Sequence, residues 1–91
     1  MNWRQVFVLK TLFAIADSER SGDGYVPVLK DAPPEDVAFM NQLIKEESVL
    51  AYKPKHGHLT RCFMFRGISE KGRRVYWPIV AAEQKAAERP K

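Results

Sequence analysis

Two histidines and the single cysteine form the grouping in this chain that most resembles a metal site. His56, His58 and Cys62 supply three side chains of the kinds that bind zinc. Their spacing fits no established zinc pattern, and no fourth ligand stands near them in the sequence. We therefore expect no metal and no cofactor, with the histidines in a polar turn and Cys62 buried like a small apolar side chain.

Catalytic residues are not expected either. A nucleophile needs a base held beside it, and general acid–base catalysis needs two tuned groups in one pocket. The chain has no glycine-rich phosphate loop and no Ser/His/Asp or Cys/His set with a supporting sequence context. The sequence therefore indicates a binding protein and not an enzyme.

Basic residues are concentrated in the second half of the chain, which could bind a polyanion such as double-stranded DNA. Residues 1–50 carry five Lys and Arg against eight Asp and Glu, a net charge of −3, whereas residues 51–91 carry ten against three, a net charge of +7. A positive field attracts phosphate groups. The residues predicted to contact phosphates are Lys53, Lys55, His56, His58, Arg61, Arg73 and Arg74. The alternative is a basic surface that is simply solvated.

Base edges would be read, in the same interpretation, by polar side chains of a helix that precedes this basic half. The candidates are Asn41, Gln42 and Lys45. Four carboxylates stand at the two ends of that helix, at Glu35, Asp36, Glu46 and Glu47. They would repel DNA, and they favour a second hypothesis in which the acidic helix docks on a basic protein partner.

Hydrophobic periodicity predicts the helices that position these residues. Apolar residues three and four apart predict a first helix from Trp3 to about Ser18, followed by a polar, glycine-containing loop. Tyr25–Leu29 is interpreted as a connector, because Pro27 limits it to an edge strand or a brief helical turn.

Trp3 and Trp77 are candidate interface anchors, and they would be close to each other if the two termini pair. The alternative is that both complete the core.

The second helix and a hairpin follow. Prolines and acids over 31–36 predict the start of the helix, which we expect to end near Ser48. Residues rich in β-formers over 49–53 and 59–66 predict a β-hairpin with a tip of about five residues. Gly67 is expected to break the second strand.

A last helix is predicted after Ser69, which stands where an N-cap residue belongs. Pro78 should kink this helix or divide it into two pieces. Residues 81–91 form a helix-prone or frayed basic tail that could pack on a second copy of the chain.

Phe63 and Phe65 share one face of a strand and could stack on single-stranded bases, but such residues are more often core.

The order of these elements is that of a winged-helix domain, in which the hairpin is the wing. The phrase Ile68-Ser-Glu-Lys-Gly-Arg-Arg-Val-Tyr76 resembles the L-T-x-x-G-x-x-x-L/F segment that leads from the wing into the final helix of small prokaryotic and phage winged-helix proteins. Residues 40–51 are similar to the helix–wing junction of the same families, with Glu47-Ser48-Val49-Leu50 where a glycine is usual. The nearest resemblance is to the small YjcQ-like or DUF2513-like group, which implies architecture and carries no biochemical role.

We thus predict an α+β, winged helix-turn-helix-like domain of three or four helices and a two-stranded wing, with residues 1–80 as one domain. The predicted function is that of a DNA-binding, transcription-regulator-like protein, with a homodimer through the terminal helices. The alternative is a protein–protein interaction module, such as a phage or mobile-element inhibitor. One cysteine in 91 residues favours the cytoplasm, and neither a secretion signal nor a membrane-spanning run is recognised.

Overall fold

The computed structural model describes residues 1–18, 24–55 and 62–88, which form an α+β fold. This part of the chain contains three helices and three strands, in the order α1 (Trp3–Ala16), β1 (Val26–Val28), α2 (Pro34–Lys45), β2 (Val49–Tyr52), β3 (Phe63–Ile68) and α3 (Glu70–Glu88). The strands form one antiparallel sheet in the order β1-β3-β2. The expected mixture of helices and antiparallel strands is therefore confirmed.

The first helix begins at a capping box, which fixes its start. The side chain of Asn2 accepts a hydrogen bond from the amide of Gln5 at 2.9 Å, and the side chain of Gln5 accepts one from the amide of Asn2 at 3.1 Å. The inner side of α1 then buries Leu9, Leu12 and Phe13. The predicted first helix is confirmed, although it ends two residues earlier than expected.

The two strands of the predicted hairpin pair with each other, but the sheet has a third strand, which lies in the connector after the first loop. Val26 lies opposite Phe65 and Val28 lies opposite Phe63, so β1 pairs with the free edge of β3. Of the two structures that Pro27 allowed, the edge strand is the one that forms. A three-residue strand has no periodicity of its own, and its pairing comes from a partner distant in sequence.

The prediction that Gly67 breaks the second strand of the hairpin was wrong, because β3 continues through Gly67. Leu50 pairs with Gly67 and Ala51 pairs with Phe65, so Arg66 has no residue opposite it on β2. The strand accommodates this extra residue as a β-bulge and continues to Ile68. The bulge leaves the side chain of Arg66 exposed.

The remaining helices pack on the sheet and on α1. Pro34 occupies the first turn of α2, as predicted, and α2 buries Phe39, Met40 and Leu43. Helix α3 runs to Glu88 as one element with Pro78 inside it, so of the two effects considered for Pro78 the division into two helices does not occur. The core between these layers includes the aromatic rings of Phe13, Phe39, Phe63, Phe65 and Tyr76.

Candidate nucleic-acid interface

The three residues predicted to read bases lie on one exposed face of α2. Ala38, Asn41, Gln42 and Lys45 are all exposed, and their spacing of three and four residues places them along a single stripe. The opposite side of the helix is held in the core. We call these four residues the outer face of α2. It presents two amides and one ammonium group, which are hydrogen-bonding groups suited to base edges and phosphates.

The carboxylates at the start of α2 are paired within the protein. Arg4 of α1 forms ion pairs with Glu35 and with Asp36, each at 3.1 Å. The side chain of Asp36 is only 14% exposed, and its hydrogen bond raises the pKa of Arg4. This first turn is also the positive end of the α2 dipole. The repulsion of DNA that the sequence predicted at this end is therefore largely offset.

Glu46, at the other end of α2, is also engaged. Its carboxylate accepts hydrogen bonds from the Tyr76 hydroxyl and, at 3.0 Å, from the Ser48 hydroxyl. Its backbone carbonyl accepts a hydrogen bond from the Lys71 ammonium group at 2.8 Å. Burial raises the pKa of Tyr76 to about 12, and the hydrogen bond to Glu46 adds to the rise. Of the four acids, Glu47 is the one left exposed without such a contact among the described residues.

The junction between α2 and α3 fixes the orientation of α2 relative to the sheet. The amide of Ser48 donates to the carbonyl of Leu43 at 2.9 Å and the amide of Glu47 donates to the carbonyl of Ile44 at 3.0 Å, which together make a Schellman motif. Ser69 then joins the two helices. Its hydroxyl donates to the carbonyl of Glu47 at 2.7 Å and accepts from the amide of Gly72 at 3.0 Å. Ser69 is thus the N-cap of α3, as predicted.

The predicted phosphate-binding residues are not all brought to one surface. Lys55 is exposed at the end of the described part of the hairpin, and the ammonium group of Lys53 lies 5.2 Å from the ring centre of Phe63. Arg73 of α3 pairs with Asp17 at 2.7 Å and lies over the ring of Phe13.

Arg73 therefore helps to hold α3 against α1, and the hairpin and α3 present separate basic groups. Arg74 is exposed on α3. His56, His58 and Arg61 lie outside the described residues.

Phe63 and Phe65 are buried, which excludes them as stacking platforms. Cys62 is buried as predicted. Among the residues that the structure describes, no three His, Cys, Asp or Glu side chains are grouped so as to hold a metal ion. None of the described helices is long and apolar enough to cross a bilayer.

An exposed groove that was not predicted from the sequence lies beside the first turns of α1. It has a volume of about 370 Å³ and is lined by Met1, Trp3, Val6, Phe7, Lys10 and Glu83. We call it the aromatic groove. Its sequence signal was the pair Trp3 and Phe7, large apolar residues one turn apart and outside the buried stripe.

The two tryptophans neither complete the core nor lie together. Trp77 packs on Phe13, with ring centres 5.5 Å apart, whereas Trp3 lies ten residues before Phe13 on α1, about 15 Å along the helix axis. Trp3 is 72% exposed and Trp77 is 42% exposed. Both aromatic side chains are therefore accessible, but at separate places on the α1–α3 pair.

Comparisons with protein-family models, with curated proteins and with solved structures gave no match to this chain.

Proposed function

We propose that this chain is a non-enzymatic winged-helix domain that binds double-stranded DNA, with the outer face of α2 in the major groove and the β2–β3 hairpin as its wing. The observation that carries the proposal is the outer face of α2, where Asn41, Gln42 and Lys45 are exposed together. An α-helix fits the major groove, and amide side chains can form paired hydrogen bonds with adenine.

The arrangement of strands supports a winged-helix reading. The hairpin follows α2 directly, and β1 pairs with its second strand in the order β1-β3-β2. In a helix-turn-helix the recognition helix is preceded by another helix across a short turn. Here strand β1, and not a helix, precedes α2, across a turn in which Leu29 and Asp31 have φ values of 57° and 53°. The winged-helix interpretation is therefore supported by the hairpin and the strand order, and not by a helix-turn-helix pair.

The contacts of the α2 carboxylates also favour DNA binding over the alternative hypothesis, in which the acidic helix docks on a basic protein. Asp36 and Glu46 are turned toward α1 and α3, where they accept hydrogen bonds from Arg4 and Tyr76. They are poorly placed to meet a basic protein. What remains on the outer face of α2 carries the single charge of Lys45.

The test is fluorescence anisotropy of a labelled random-sequence duplex at two salt concentrations. We expect binding that weakens steeply with salt, because each neutralised phosphate releases counterions. The double variant Lys45→Glu with Lys55→Glu should lose about tenfold or more in affinity and should have a salt slope lower by about two. Lys85→Glu, at an exposed lysine of α3, makes the same change in net charge as Lys45→Glu alone, and this single variant of α3 is the control.

Base reading requires a separate measurement. Asn41→Ala with Gln42→Ala should leave the affinity for random duplex nearly unchanged but should flatten the sequence preference in a selection from randomised duplexes. Failure of the unmodified protein to bind at low salt would exclude the proposed function. An equal loss in the α3 control would mean that net charge and not the outer face of α2 determines binding.

A further inference from the structure

Helix α1 lacks the polar face expected of a surface helix. Its fourteen residues include only Arg4, Gln5, Lys10 and Thr11 as polar side chains. A helix that is apolar almost all round is normally covered on both sides. The inner side of α1 is covered by the sheet, α2 and α3, so the outer side requires another explanation.

The outer side of α1 carries the two most exposed aromatic rings in the described residues. Trp3 is 72% exposed and Phe7 is 62% exposed, and Lys10 and Ala14 continue the same stripe at helical spacing. Large aromatic residues that lie together on a surface are typical of interface centres. The aromatic groove therefore has the composition of a docking surface.

The charges around the groove complement one another across its two walls. Lys10 belongs to α1 and Glu83 belongs to α3, and both line the groove. Neither side chain forms an ion pair with another described residue. A two-fold axis through the groove would bring Lys10 of each copy to Glu83 of the other, since an isologous contact repeats every pair twice.

We infer that the aromatic groove is the contact surface of a homodimer, in which a second copy of this chain covers Trp3 and Phe7. Four such rings would bury on the order of 500 Å² in the dimer, about a third of a standard interface. Met1, Val6 and the aliphatic parts of Lys10 and Glu83 add to this area. The inference does not depend on DNA binding, and it is tested without DNA.

The first experiment is the molar mass of the full chain by light scattering over a dilution series. We expect a mass of twice 10.5 kDa at high concentration, falling toward one chain on dilution. Trp3→Ser with Phe7→Ser should give the mass of one chain throughout. Leu50→Ser with Tyr52→Ser, two exposed apolar side chains on β2, is the matched control and should keep the dimer. Circular dichroism confirms that each variant is folded.

Charge reversal tests whether the contact is two-fold, with Lys10 of each copy beside Glu83 of the other. Lys10→Glu and Glu83→Lys should each weaken the dimer by about tenfold, because each places like charges across the interface. An equimolar mixture of the two variants should restore it, because both of the ion pairs across the two-fold axis are then of opposite sign. A monomeric mass for the unmodified chain at its highest soluble concentration overturns the inference. So does a dimer that survives the Trp3 and Phe7 changes.

Discussion

Glu47 adopts a backbone conformation that suits glycine better than glutamate. Its φ of 62° places it in the left-handed region at the position just after the cap of α2, where the Schellman motif requires it. A residue with a Cβ atom is disfavoured there by about 1 kcal/mol. The resemblance to winged-helix junctions placed the missing glycine within the segment 47–50, and the φ value identifies Glu47 as the residue of that segment at which glycine would fit best.

Replacing Glu47 by glycine should therefore stabilise the protein. We expect Glu47→Gly to raise the free energy of unfolding by about 1 kcal/mol, measured by urea denaturation. Glu47→Ala removes the same charge and keeps the Cβ atom, so it should change stability by only a few tenths of a kcal/mol. If the two variants were equally stable, the backbone conformation would not be the cause.

Tyr76 makes the free energy of unfolding depend on pH in the alkaline range. Its pKa is raised from 10.0 to about 12 in the folded chain, so the folded state keeps the hydroxyl proton that the unfolded state loses. The resulting contribution to stability is fully present below pH 10 and is lost as the pH rises through about 12. Tyr76→Phe should be less stable at neutral pH, because Glu46 loses a hydrogen-bond donor.

The measurement is urea denaturation at several pH values between 9 and 12. The stability gap between the unmodified protein and Tyr76→Phe should narrow over this range. Val75→Ala, which changes an exposed side chain without an ionisable group, should show a constant gap. A gap of constant size for Tyr76→Phe would contradict the assignment.

At the level of the elements, Gly72 allows α3 to approach the end of α2. A Cβ atom at Gly72 would lie 2.0 Å from the carbonyl oxygen of Ser48, which itself accepts a hydrogen bond from the amide of Ser69. Backbone atoms on both sides leave little freedom to relax. The glycine in the quoted segment Ile68–Tyr76 is therefore required by helix packing, and not by its own φ angle.

Gly72→Ala should destabilise the protein by about 2 kcal/mol or more, although alanine is the better helix former. Gly67→Ala is the control, because a Cβ atom at Gly67 would meet no atom within 4 Å. Comparison of the two urea midpoints tests the close approach. Equal midpoints would mean that the two helices can separate at no cost.

The elements differ in how far the sequence could predict them. The three helices carry periodic apolar residues and local caps such as Ser69, and these signals lie within a few residues. Strand β1 and the bulge at Arg66 depend on pairing with a strand elsewhere in the chain, which no local pattern contains. The grouping of Asn41, Gln42 and Lys45 followed from helical spacing, whereas the engagement of Arg73 with Asp17 joins residues on different helices.

In the whole molecule, some of the charged residues that the sequence totals count are paired with one another between packed elements. One ion pair, Arg73 with Asp17, joins the positive second half to the negative first half. The other, Arg4 with the start of α2, lies within the first half. Both contacts hold α1 in place, so part of each charge excess is used in packing. The outer face of α2 and the aromatic groove are left as two chemically different surfaces, one polar and one apolar.

Pro27 has a consequence for how chains of this kind meet one another. It lies in the middle of β1, at the outer edge of the sheet, and it has no amide hydrogen. Proline is tolerated in edge strands where that missing donor would point away from the sheet. A further strand from another chain would find an incomplete ladder there, which protects this edge against fibril-like growth. Strand addition at β1 is thereby opposed, whereas the homodimer that we propose at the aromatic groove would close on itself.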